Sequence, residues 1–365
     1  MRVCHLTSVH PRNDIRIFIK ECKALAKEHH VTLIVADSLG NQQEAGIAIY
    51  DVGKSTGGRW QRIRETTAKI YAKVLELTPD IVHFHDPELM SVGKKLAAAG
   101  YKVIYDVHED VPKQVLNKAW LPKLLRPLIS RLVKLHEQQT SAKLSGIICA
   151  TEIIAERFKH YNRNTIAIHN YPILAELANN SVSWDERDLG LCYVGSISQP
   201  RGILPLSESL VLSGCQLELA GAYSDSGIEE QLKSSSGFKQ INYHGVVGRA
   251  EIAQLLGRVK VGMVTLLPTP SYVESLPIKL FEYMLSGIPV VASDFELWRP
   301  IVMGNNCGLM VDPNDPKAIA SACLELINNP KQAAQMGQNG RQAVVEHYVW
   351  EQEQLKLLEF YRNLA

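Results

Sequence analysis

The chain has 365 residues, of which 46% are hydrophobic and 21% are charged, a balance typical of a globular protein and too apolar for a disordered one. Its 39 lysines and arginines nearly match its 38 acidic residues. The formal net charge of +1 excludes a globally basic nucleic-acid-binding protein, so no nucleic-acid partner is expected. At roughly 150 residues per domain, the length predicts two domains.

The first half of the chain alternates short apolar runs with longer amphipathic stretches. Beyond a first strand at the amino terminus, the apolar runs predict strands at residues 31–36, 81–84, 102–106 and 147–150. The amphipathic stretches predict helices at residues 15–28, 61–77, 90–99 and 122–144.

The same alternation resumes after residue 185. Strands are predicted at residues 191–194, 216–220, 261–266, 289–292 and 309–311, and helices at residues 204–212, 226–234, 249–257, 277–286, 316–328 and 331–347. Alternating strands and helices predict α/β domains with parallel sheets covered on both faces. The polar stretch 173–188 separates two doubly wound domains, 1–172 and 186–348. Such domains bind ligands beyond the carboxyl ends of their strands, here in the cleft between them.

The cysteines and the amino terminus indicate the cellular compartment. Seven cysteines are dispersed without a C-x-x-C pair, which predicts buried thiols in a reducing compartment. The sequence has neither a signal-peptide core nor an apolar run of about 18 residues. We expect a cytoplasmic protein, or one bound to the membrane from the cytoplasmic side.

Several common active-site motifs are absent from the sequence. No G-x-G pair occurs, which disfavours a dinucleotide-binding dehydrogenase, and no P-loop, G-x-S-x-G elbow or H-E-x-x-H motif is present. No D-x-D pair occurs either, so the metal-holding aspartates of one large class of sugar transferases are missing.

A short H-F-H-D segment raises the question of a metal site. His83 and His85 alternate at the end of a strand, so both side chains would lie on one face and could ligate a metal ion. The sequence shows no third or fourth ligand nearby. A strand end without a ligand is the favoured interpretation, and we assign no metal site.

The strongest chemical signal lies in residues 273–284, which read V-E-S-L-P-I-K-L-F-E-Y-M. Pro277 can occupy the first turn of a helix that carries Lys279 and Glu282. Amide groups at a helix amino terminus favour an anion such as phosphate, and Lys279 adds a full positive charge there. Glu282 would suit the vicinal hydroxyls of a ribose, and Glu274 those of a second polyol. The alternative is a surface ion pair between Lys279 and Glu282.

At these residues the sequence resembles family 4 of the retaining, nucleotide-sugar-dependent glycosyltransferases, of the type acting in bacterial surface-polysaccharide synthesis. The resemblance extends over essentially the whole chain and implies the GT-B fold, with an acceptor-side first domain and a nucleotide-sugar-binding second domain. It implies that Glu274 contacts the donor sugar and Glu282 the ribose, with Leu276 between them in the donor site. By analogy, the final helix, 349–365, crosses back onto the first domain.

A second matching segment, residues 193–202, opens the second domain. Many family members have Gly-Arg-Leu here, followed by Lys-Gly, and the two cations hold the diphosphate. In this chain Ser196 replaces the first cation and Arg201 represents the second. We expect Lys279 to supply the missing charge, whereas a solvated loop arginine is the alternative for Arg201.

Residues 243–247, which read Y-H-G-V-V, resemble the turn that binds the nucleobase in this family. Backbone groups after the glycine would hold the base, which places Val246 in the donor site. A buried turn without a ligand is the alternative.

The family places a histidine in the loop after one strand of the first domain, and His108 matches it. The resemblance implies that His108 lies near the reacting sugar, where it could bind that sugar and stabilise developing charge. A histidine with a purely structural role is the alternative.

Two further loops of the first domain border the expected cleft. Residues 10–16 form a His-Pro-x-x-Asp-x-Arg stretch comparable to one in related transferases, which makes Asp14 and Arg16 acceptor-side candidates. Asp14 could instead cap the following helix. Asp86 and Glu88 follow another strand and are the remaining acceptor-side candidates.

Residues 117–135 form a basic, amphipathic segment without an acidic residue. Leucines and Trp120 alternate with five cations, which are Lys118, Lys123, Arg126, Arg131 and Lys134. This pattern is consistent with a segment that lies on the anionic inner surface of a membrane. An ordinary helix with a charged outer face is the alternative.

These expectations combine into one function. The chain would transfer a hexosyl or N-acetylhexosaminyl unit from a nucleoside diphosphate sugar, UDP favoured over GDP, with retention and without a metal or other cofactor. The expected acceptor is a glycan, namely a lipid-linked O-antigen or capsule precursor. The alternatives are a sugar-nucleotide epimerase or a phosphorylase on the same fold, and a non-catalytic partner subunit that binds glycan or lipid.

Overall fold

The structure is a computed structural model that describes residues 1–55, 58–118, 121–177 and 182–364, without the side chains of residues 59, 60, 62 and 117. The chain divides into two compact units. Unit 1 comprises Met1–Asn170 and Gln352–Ala365, and unit 2 comprises Tyr171–Glu351. Residues 178–181 of the predicted linker lie outside the described residues.

The described part of unit 1 contains a sheet of eight strands in the order β3-β4-β2-β1-β5-β6-β7-β8. All neighbouring strands are parallel except the edge strand β3, which is antiparallel to β4. The strands are β1 (Arg2–Leu6), β2 (His30–Val35), β3 (Gln42–Glu44), β4 (Ile47–Asp51), β5 (Ile81–Phe84), β6 (Lys102–Val107), β7 (Gly146–Cys149) and β8 (Thr165–Ala167).

The helices of unit 1 follow its strands along the chain. After β1 comes a π-helical segment, Ile15–Cys22, which continues into a short α-helix. The α-helices are α1 (Lys23–Leu25), α2 (Arg59–Leu77), α3 (Met90–Ala98), α4 (Val111–Asn117), α5 (Arg126–Ser141) and α6 (Glu152–Lys159).

The sheet of unit 2 has six strands in the order β11-β10-β9-β12-β13-β14, all parallel in the described residues. The strands are β9 (Leu189–Val194), β10 (Leu217–Ala220), β11 (Ile241–Gly245), β12 (Val259–Val264), β13 (Val290–Ser293) and β14 (Gly308–Val311).

The remaining helices complete the fold. They are α7 (Leu174–Leu177), α8 (Ile203–Ser213), α9 (Ser226–Lys233), α10 (Arg249–Arg258), α11 (Ile278–Leu285), α12 (Arg299–Val302), α13 (Pro316–Asn328), α14 (Pro330–His347) and α15 (Trp350–Leu364). From Gln352 onward α15 belongs to unit 1, where the hydroxyl of Tyr361 lies 2.7 Å from Nδ1 of His83.

Burial explains why the central strands could be predicted from sequence. Every residue of β5, β7, β10 and β13 is buried, as expected for parallel sheets covered on both faces. The sequences of such strands are mostly apolar. Strands β3, β8 and β11, which were not predicted, are sheet edges and bury few side chains, so their sequences carry little apolar signal.

Two predicted helices differ from the structure. The helix predicted at 15–28 is π-helical over Ile15–Cys22, and α-helical only over Lys23–Leu25. The helix predicted at 122–144 begins at Arg126, after a 3₁₀ turn, and ends at Ser141. Pro127 explains the later start, because proline lacks an amide donor and is tolerated only in the first helical turn.

The cysteines and the helix lengths bear on two further expectations. All seven cysteines are free thiols, and six of them are buried. Within the described residues, no helix combines the length and the apolar character that crossing a bilayer requires.

Candidate active site

The candidate donor-binding residues of unit 2 lie on loops that follow β9, β11 and β12, and on α11, which comes after the last of these loops. Parallel strands end at the same edge of their sheet, so these loops share that edge. The loops also contact one another: the amide of Leu267 donates to the carbonyl of Pro200 at 2.9 Å. The amide of Gly221 donates to the carbonyl of Gly245 at 2.7 Å.

Arg201 and Lys279 converge on Gly195. A Cβ atom at Gly195 would lie 3.4 Å from Nζ of Lys279 and 3.6 Å from an NH1 nitrogen of Arg201. Gly195 has φ of +124°, a conformation that other residues rarely adopt, and its missing side chain leaves space beside both cations. Two positive groups, one from the loop after β9 and one from α11, therefore flank one small residue.

Lys279 is a buried lysine with no carboxylate within ion-pairing distance in the part of the chain that the structure describes. Its side chain is only 5% exposed, and Nζ has no hydrogen-bond partner among the described residues. Nζ lies 3.5 Å from the ring centroid of Tyr193, a cation–π contact. Burial, and then the charge of Arg201, lower the pKa of Lys279 well below its usual value. In the described residues neither cation has a carboxylate within ion-pairing distance, so a bound anion would relieve an unfavourable electrostatic arrangement.

Glu282 lies one turn beyond Lys279 and has a different partner from the one the sequence suggested. Its carboxylate is 4% exposed and accepts a hydrogen bond from Arg249 at 2.7 Å. Arg249 also donates to Glu176. The pair is therefore Arg249–Glu282, which is partly buried, and not a surface pair of Glu282 with Lys279. Arg249 begins α10, so this ion pair ties α11 to the loop after β11.

Glu274 and Leu276 lie in the loop between β12 and α11. Both side chains are half-buried, and Leu276 packs against the apolar core of unit 2. Between them, the carbonyl of Ser275 accepts a hydrogen bond from the indole of Trp298 at 2.7 Å. These contacts hold the loop in place and position Glu274 near the start of α11.

Ser196 and Val246 are exposed at the carboxyl ends of the strands of unit 2. The carbonyl of Ser196 accepts a hydrogen bond from the hydroxyl of Tyr193 at 2.9 Å, and Val246 is 78% exposed. The turn predicted at 243–247 needs correction, because its first three residues belong to edge strand β11. Gly245 ends that strand with a positive φ, and only residues 246–248 connect it to α10.

In unit 1, Asp106 binds the candidate catalytic histidine. Its completely buried carboxylate accepts hydrogen bonds from Nε2 of His108 at 2.7 Å and from Nδ1 of His85 at 3.0 Å. Arg16 donates to both carboxylate oxygens, at 2.8 and 2.6 Å. Burial alone would raise the pKa of Asp106, but Arg16 and His108 outweigh it and lower that pKa well below its usual value.

The acceptor-side prediction for Arg16 needs correction. Arg16 is only 4% exposed, and its guanidinium is bound to Asp106 and to the carbonyl of Ile168. Arg16 therefore positions Asp106, and Asp106 in turn binds His108. Asp14 caps the π-helical segment, because one of its oxygens accepts from the amides of Arg16 and Ile17, both at 2.9 Å. The capping alternative for Asp14 is thus the one the structure shows.

His10, a residue that the sequence did not single out, joins two of the candidates. Its two ring nitrogens lie 3.3 Å from Asp14 and 3.3 Å from Asp86, and its ring centroid lies 5.3 Å from that of His108. Burial alone would lower the pKa of His10, but the hydrogen bonds to both carboxylates raise it to about 10. His10 is the first residue of the His-Pro-x-x-Asp-x-Arg stretch, which was the available signal.

The other two acceptor-side candidates differ in accessibility. Asp86 is buried and accepts hydrogen bonds from Thr7 and Ser8. Glu88 is half-buried and receives a longer contact from the hydroxyl of Ser8, at 3.4 Å. Of these two, Glu88 is therefore the more accessible carboxylate.

The structure also supplies the neighbours that the sequence did not show for His83 and His85. His5 of β1 lies opposite His83 of β5 in the parallel register, and Glu21 comes from the π-helical segment. One ligand atom from each of these four buried residues lies within 4.8 Å of the others. Residues this far apart in sequence meet only through strand pairing, so no local motif could predict the cluster.

The comparison with known protein families finds a match in each unit. A family described as Glycosyltransferase Family 4 matches residues 17–170, and one described as Glycosyl transferases group 1 matches residues 177–343. The chain belongs to glycosyltransferase family 4. The glycosyltransferase thus carries one match in each unit, and its two α/β units fit the two Rossmann-like domains of the GT-B fold.

Individual proteins agree with this assignment. The phosphatidyl-myo-inositol mannosyltransferase of Mycobacterium leprae is 24% identical over 296 residues, covering 78% of this chain and 74% of that protein. HepE of Anabaena, solved with UDP-glucose, is 15% identical with a TM-score of 0.75 over all of both chains. WaaG, a glycosyltransferase involved in lipopolysaccharide biosynthesis, is 13% identical with a TM-score of 0.73 over 98% of both chains. The two structures show the shared fold.

Proposed function

We propose that this glycosyltransferase uses a nucleoside diphosphate sugar, UDP favoured over GDP, and that Arg201 and Lys279 bind its diphosphate. The convergence of these two cations on Gly195, without a carboxylate partner in the described residues, carries the proposal. A diphosphate supplies the negative charge that this buried site lacks. HepE, which was solved with UDP-glucose, has the same fold and supports the choice of UDP.

The remaining donor contacts follow from the placement of the acidic residues. Glu282 would bind the ribose, Glu274 the transferred hexosyl or N-acetylhexosaminyl unit, and Val246 would lie beside the nucleobase. Arg249 donates a hydrogen bond to Glu282 at 2.7 Å, which orients that carboxylate for two hydroxyl groups.

Cleavage of the donor leaves a nucleoside diphosphate whose charge must be stabilised. Preorganised donors at such a position contribute about 3–4 kcal/mol each to catalysis. The chain has no D-x-D pair, so we assign this role to Arg201, Lys279 and backbone amides, without a divalent ion at the leaving group. Initial rates should then be equal with and without added Mg²⁺ or Mn²⁺.

We propose that transfer proceeds with retention. The acceptor oxygen forms a bond to the anomeric carbon on the side from which the diphosphate leaves, and the departing phosphate oxygen takes the acceptor proton. His108 would hydrogen-bond the donor sugar and stabilise the developing charge. Asp106 holds the His108 ring in place for that role.

For the acceptor, we propose a lipid-linked glycan, such as an O-antigen or capsule precursor, at the inner membrane surface. Two related proteins act on or near lipids by name, one on phosphatidyl-myo-inositol and one in lipopolysaccharide biosynthesis. Four leucines spaced three or four residues apart are exposed on and before α5; they are Leu124, Leu128, Leu132 and Leu135. We call this set the leucine stripe.

Cations next to the leucine stripe fit an anionic lipid surface. Lys123, Arg131 and Lys134 are exposed there. Arg126 instead donates to the carbonyls of Leu121 and Leu116, so it supports the local backbone. Trp120, which the sequence placed in the same segment, lies outside the described residues.

A product assay tests the proposed function. The purified chain is incubated with single UDP-sugars or GDP-sugars and with lipid-linked glycans, and the products are analysed by mass spectrometry and by NMR of the anomeric proton. We expect glycan extension from a UDP-sugar, with the anomeric configuration of the donor preserved. An inverted product would overturn the retaining mechanism, and conversion of the nucleotide sugar into its epimer without transfer would establish the epimerase alternative.

A further inference from the structure

We infer that the buried cluster of His5, His83 and Glu21 binds a divalent transition-metal ion, with zinc the first choice. The three side chains are all 0% exposed and come from β1, β5 and the π-helical segment. Two imidazoles and a carboxylate are ligands that zinc and related ions accept. Departures from α-helical geometry such as this π-helical segment are frequent at functional sites.

Several buried polar atoms of the cluster lack a hydrogen bond. Nε2 of His5, Nε2 of His83 and both carboxylate oxygens of Glu21 are buried and have no hydrogen-bond partner among the described residues. Each buried polar group left without a partner costs about 1–3 kcal/mol. One ligand atom from each of the three side chains lies within 4.8 Å of the others, so a single ion bound among them would give each side chain a further partner.

The other ring nitrogen of His83 and of His5, Nδ1, already contacts a neighbouring side chain. Nδ1 of His83 lies 2.7 Å from the hydroxyl of Tyr361, and Nδ1 of His5 lies 2.9 Å from Nε2 of His85. In metal sites, the ring nitrogen of a histidine that does not bind the ion usually donates a hydrogen bond to a neighbouring group. That hydrogen bond fixes the orientation of the ring and its tautomer.

A bound ion would give every imidazole in the cluster one consistent role. An ion on Nε2 of His5 places the ring proton on Nδ1, which then donates to Nε2 of His85. His85 keeps its own proton on Nδ1 and donates it to Asp106 at 3.0 Å. Both nitrogens of His85 are thereby engaged, so we assign His85 to the outer shell and not to the ligands. The same chain of contacts ends at His108.

The local charge also favours a cation. Glu21 and Asp106 are two acids, and Arg16 is the arginine that pairs with both of them. Nε of Arg16 lies 3.2 Å from Glu21, but its hydrogen bonds go to Asp106. A divalent ion would offset the remaining negative charge and bind the carboxylate of Glu21.

Metal analysis of the full-length protein, with any affinity tag removed, tests this inference directly. We expect about one zinc ion per chain by elemental analysis. After removal of the metal by a chelator, Co²⁺ should restore the site and give the visible absorption of a cobalt ion with nitrogen and oxygen ligands. Metal binding should also raise the melting temperature of the metal-free protein.

Substitutions locate the ion. Glu21→Gln and His83→Asn keep much of the original volume and should each weaken Zn²⁺ binding by at least tenfold. His169→Gln is the matched control, because His169 is a buried histidine of the same unit that contacts Glu353, outside the cluster. Its metal content should equal that of the wild type.

Each possible result either supports the inference or contradicts it. If the wild-type protein binds neither Zn²⁺ nor Co²⁺ and its melting temperature does not respond to them, the inference is wrong, and a proton on Glu21 neutralises the cluster instead. Equal metal content in Glu21→Gln, His83→Asn and wild type would place the ion elsewhere and would also overturn it. Should both variants fail to fold, the wild-type Co²⁺ spectrum and the ligand types from X-ray absorption decide the question.

Discussion

Nε2 of His108 lies 2.7 Å from Oδ2 of Asp106, and this carboxylate is completely buried near the carboxyl end of β6. Because the same carboxylate binds the guanidinium of Arg16, the position of the candidate catalytic ring is set by an ion pair that no solvent reaches. Arg16 and Asp106 are 90 residues apart in the sequence, so this support for His108 arises only in the folded chain.

Asp106→Asn tests this support. The substitution removes the charge that orients His108 and the carboxylate to which Arg16 donates two hydrogen bonds. We expect turnover to fall about 10- to 100-fold, the equivalent of a hydrogen bond to a charged group, with a small change in donor affinity. The free energy of unfolding should fall by about 3–5 kcal/mol, because one partner of a buried ion pair is lost. Steady-state kinetics and urea unfolding measure the two effects.

Adding His108→Asn to Asp106→Asn provides the control for that experiment. If Asp106 acts through His108, the double variant should turn over no more slowly than the slower single variant. Additive losses in turnover would show that the two residues act independently.

Lys279→Met should separate binding from stability. Methionine fills a similar volume without a charge, so the ligand-free protein should be at least as stable as the wild type, because an unpaired buried cation is removed. Binding of UDP should weaken and turnover should fall about 100- to 1,000-fold. Calorimetry, thermal unfolding and a product assay measure these quantities.

Lys239→Met is the matched control, because Lys239 is an exposed lysine of the same unit. Its UDP affinity and turnover should equal those of the wild type. Undiminished UDP binding by Lys279→Met would remove Lys279 from the diphosphate site.

Glu282→Gln tests the ribose contact. A carboxylate that accepts hydrogen bonds from ribose hydroxyls should make the wild type bind UDP roughly 10- to 100-fold more tightly than 2′-deoxy-UDP. In the variant this ratio should fall towards one, while in the control Glu230→Gln, at an exposed position of the same unit, it should not change. If Glu282→Gln keeps the full ratio, the interaction with Arg249 is the sole role of Glu282.

His10 predicts a defined dependence of stability on pH. Its pKa is raised to about 10 in the folded protein by Asp14 and Asp86, against about 6.5 in an unfolded chain. The protonated form is therefore favoured by folding, so the stabilisation is complete below pH 6.5 and is lost as the pH rises through about 10. The difference in unfolding free energy between wild type and His10→Asn should shrink over that interval.

Asp14, an acidic partner of His10, sets the lower pH limit of this stabilisation. The pKa of Asp14 is lowered to about 2, because its hydrogen bonds to His10 and to the Ile17 amide outweigh the effect of burial. The stabilisation from Asp14 is present above about pH 4 and is lost as the pH falls towards 2. Urea unfolding of wild type and His10→Asn from pH 3 to 10 tests both limits; a difference independent of pH would contradict the assignment.

The leucine stripe predicts binding to anionic vesicles. Leu128→Ser combined with Leu132→Ser should lower the partition coefficient at least tenfold, since each leucine that leaves water contributes about 1.5–3 kcal/mol. Leu355→Ser is the control, because Leu355 is exposed to a similar degree on α15. Sedimentation with vesicles of anionic or neutral lipid measures the effect. Equal sedimentation of both variants would assign the stripe to another role.

Local sequence signals predicted the bounds of some buried or capped elements. Strand β5 and helix α13 have the predicted bounds, Ile81–Phe84 and Pro316–Asn328. The first is apolar except for His83, and the second begins with Asp315 as a cap and with proline in its first turn. The segment around Lys279 and Glu282 likewise identified the family, because its composition and spacing are contiguous in the chain.

Local sequence signals did not predict the partners of the site residues. Glu282 pairs with Arg249 instead of Lys279, and Arg16 lies behind Asp106 instead of facing an acceptor. The alternation of strands and helices along the chain specified the fold class, because burial on both faces of a parallel sheet demands an apolar pattern. The sheet order alone decided that His5 lies beside His83 and that Arg201 and Lys279 share one glycine, because such contacts depend on which distant strands pair and not on their neighbours in sequence.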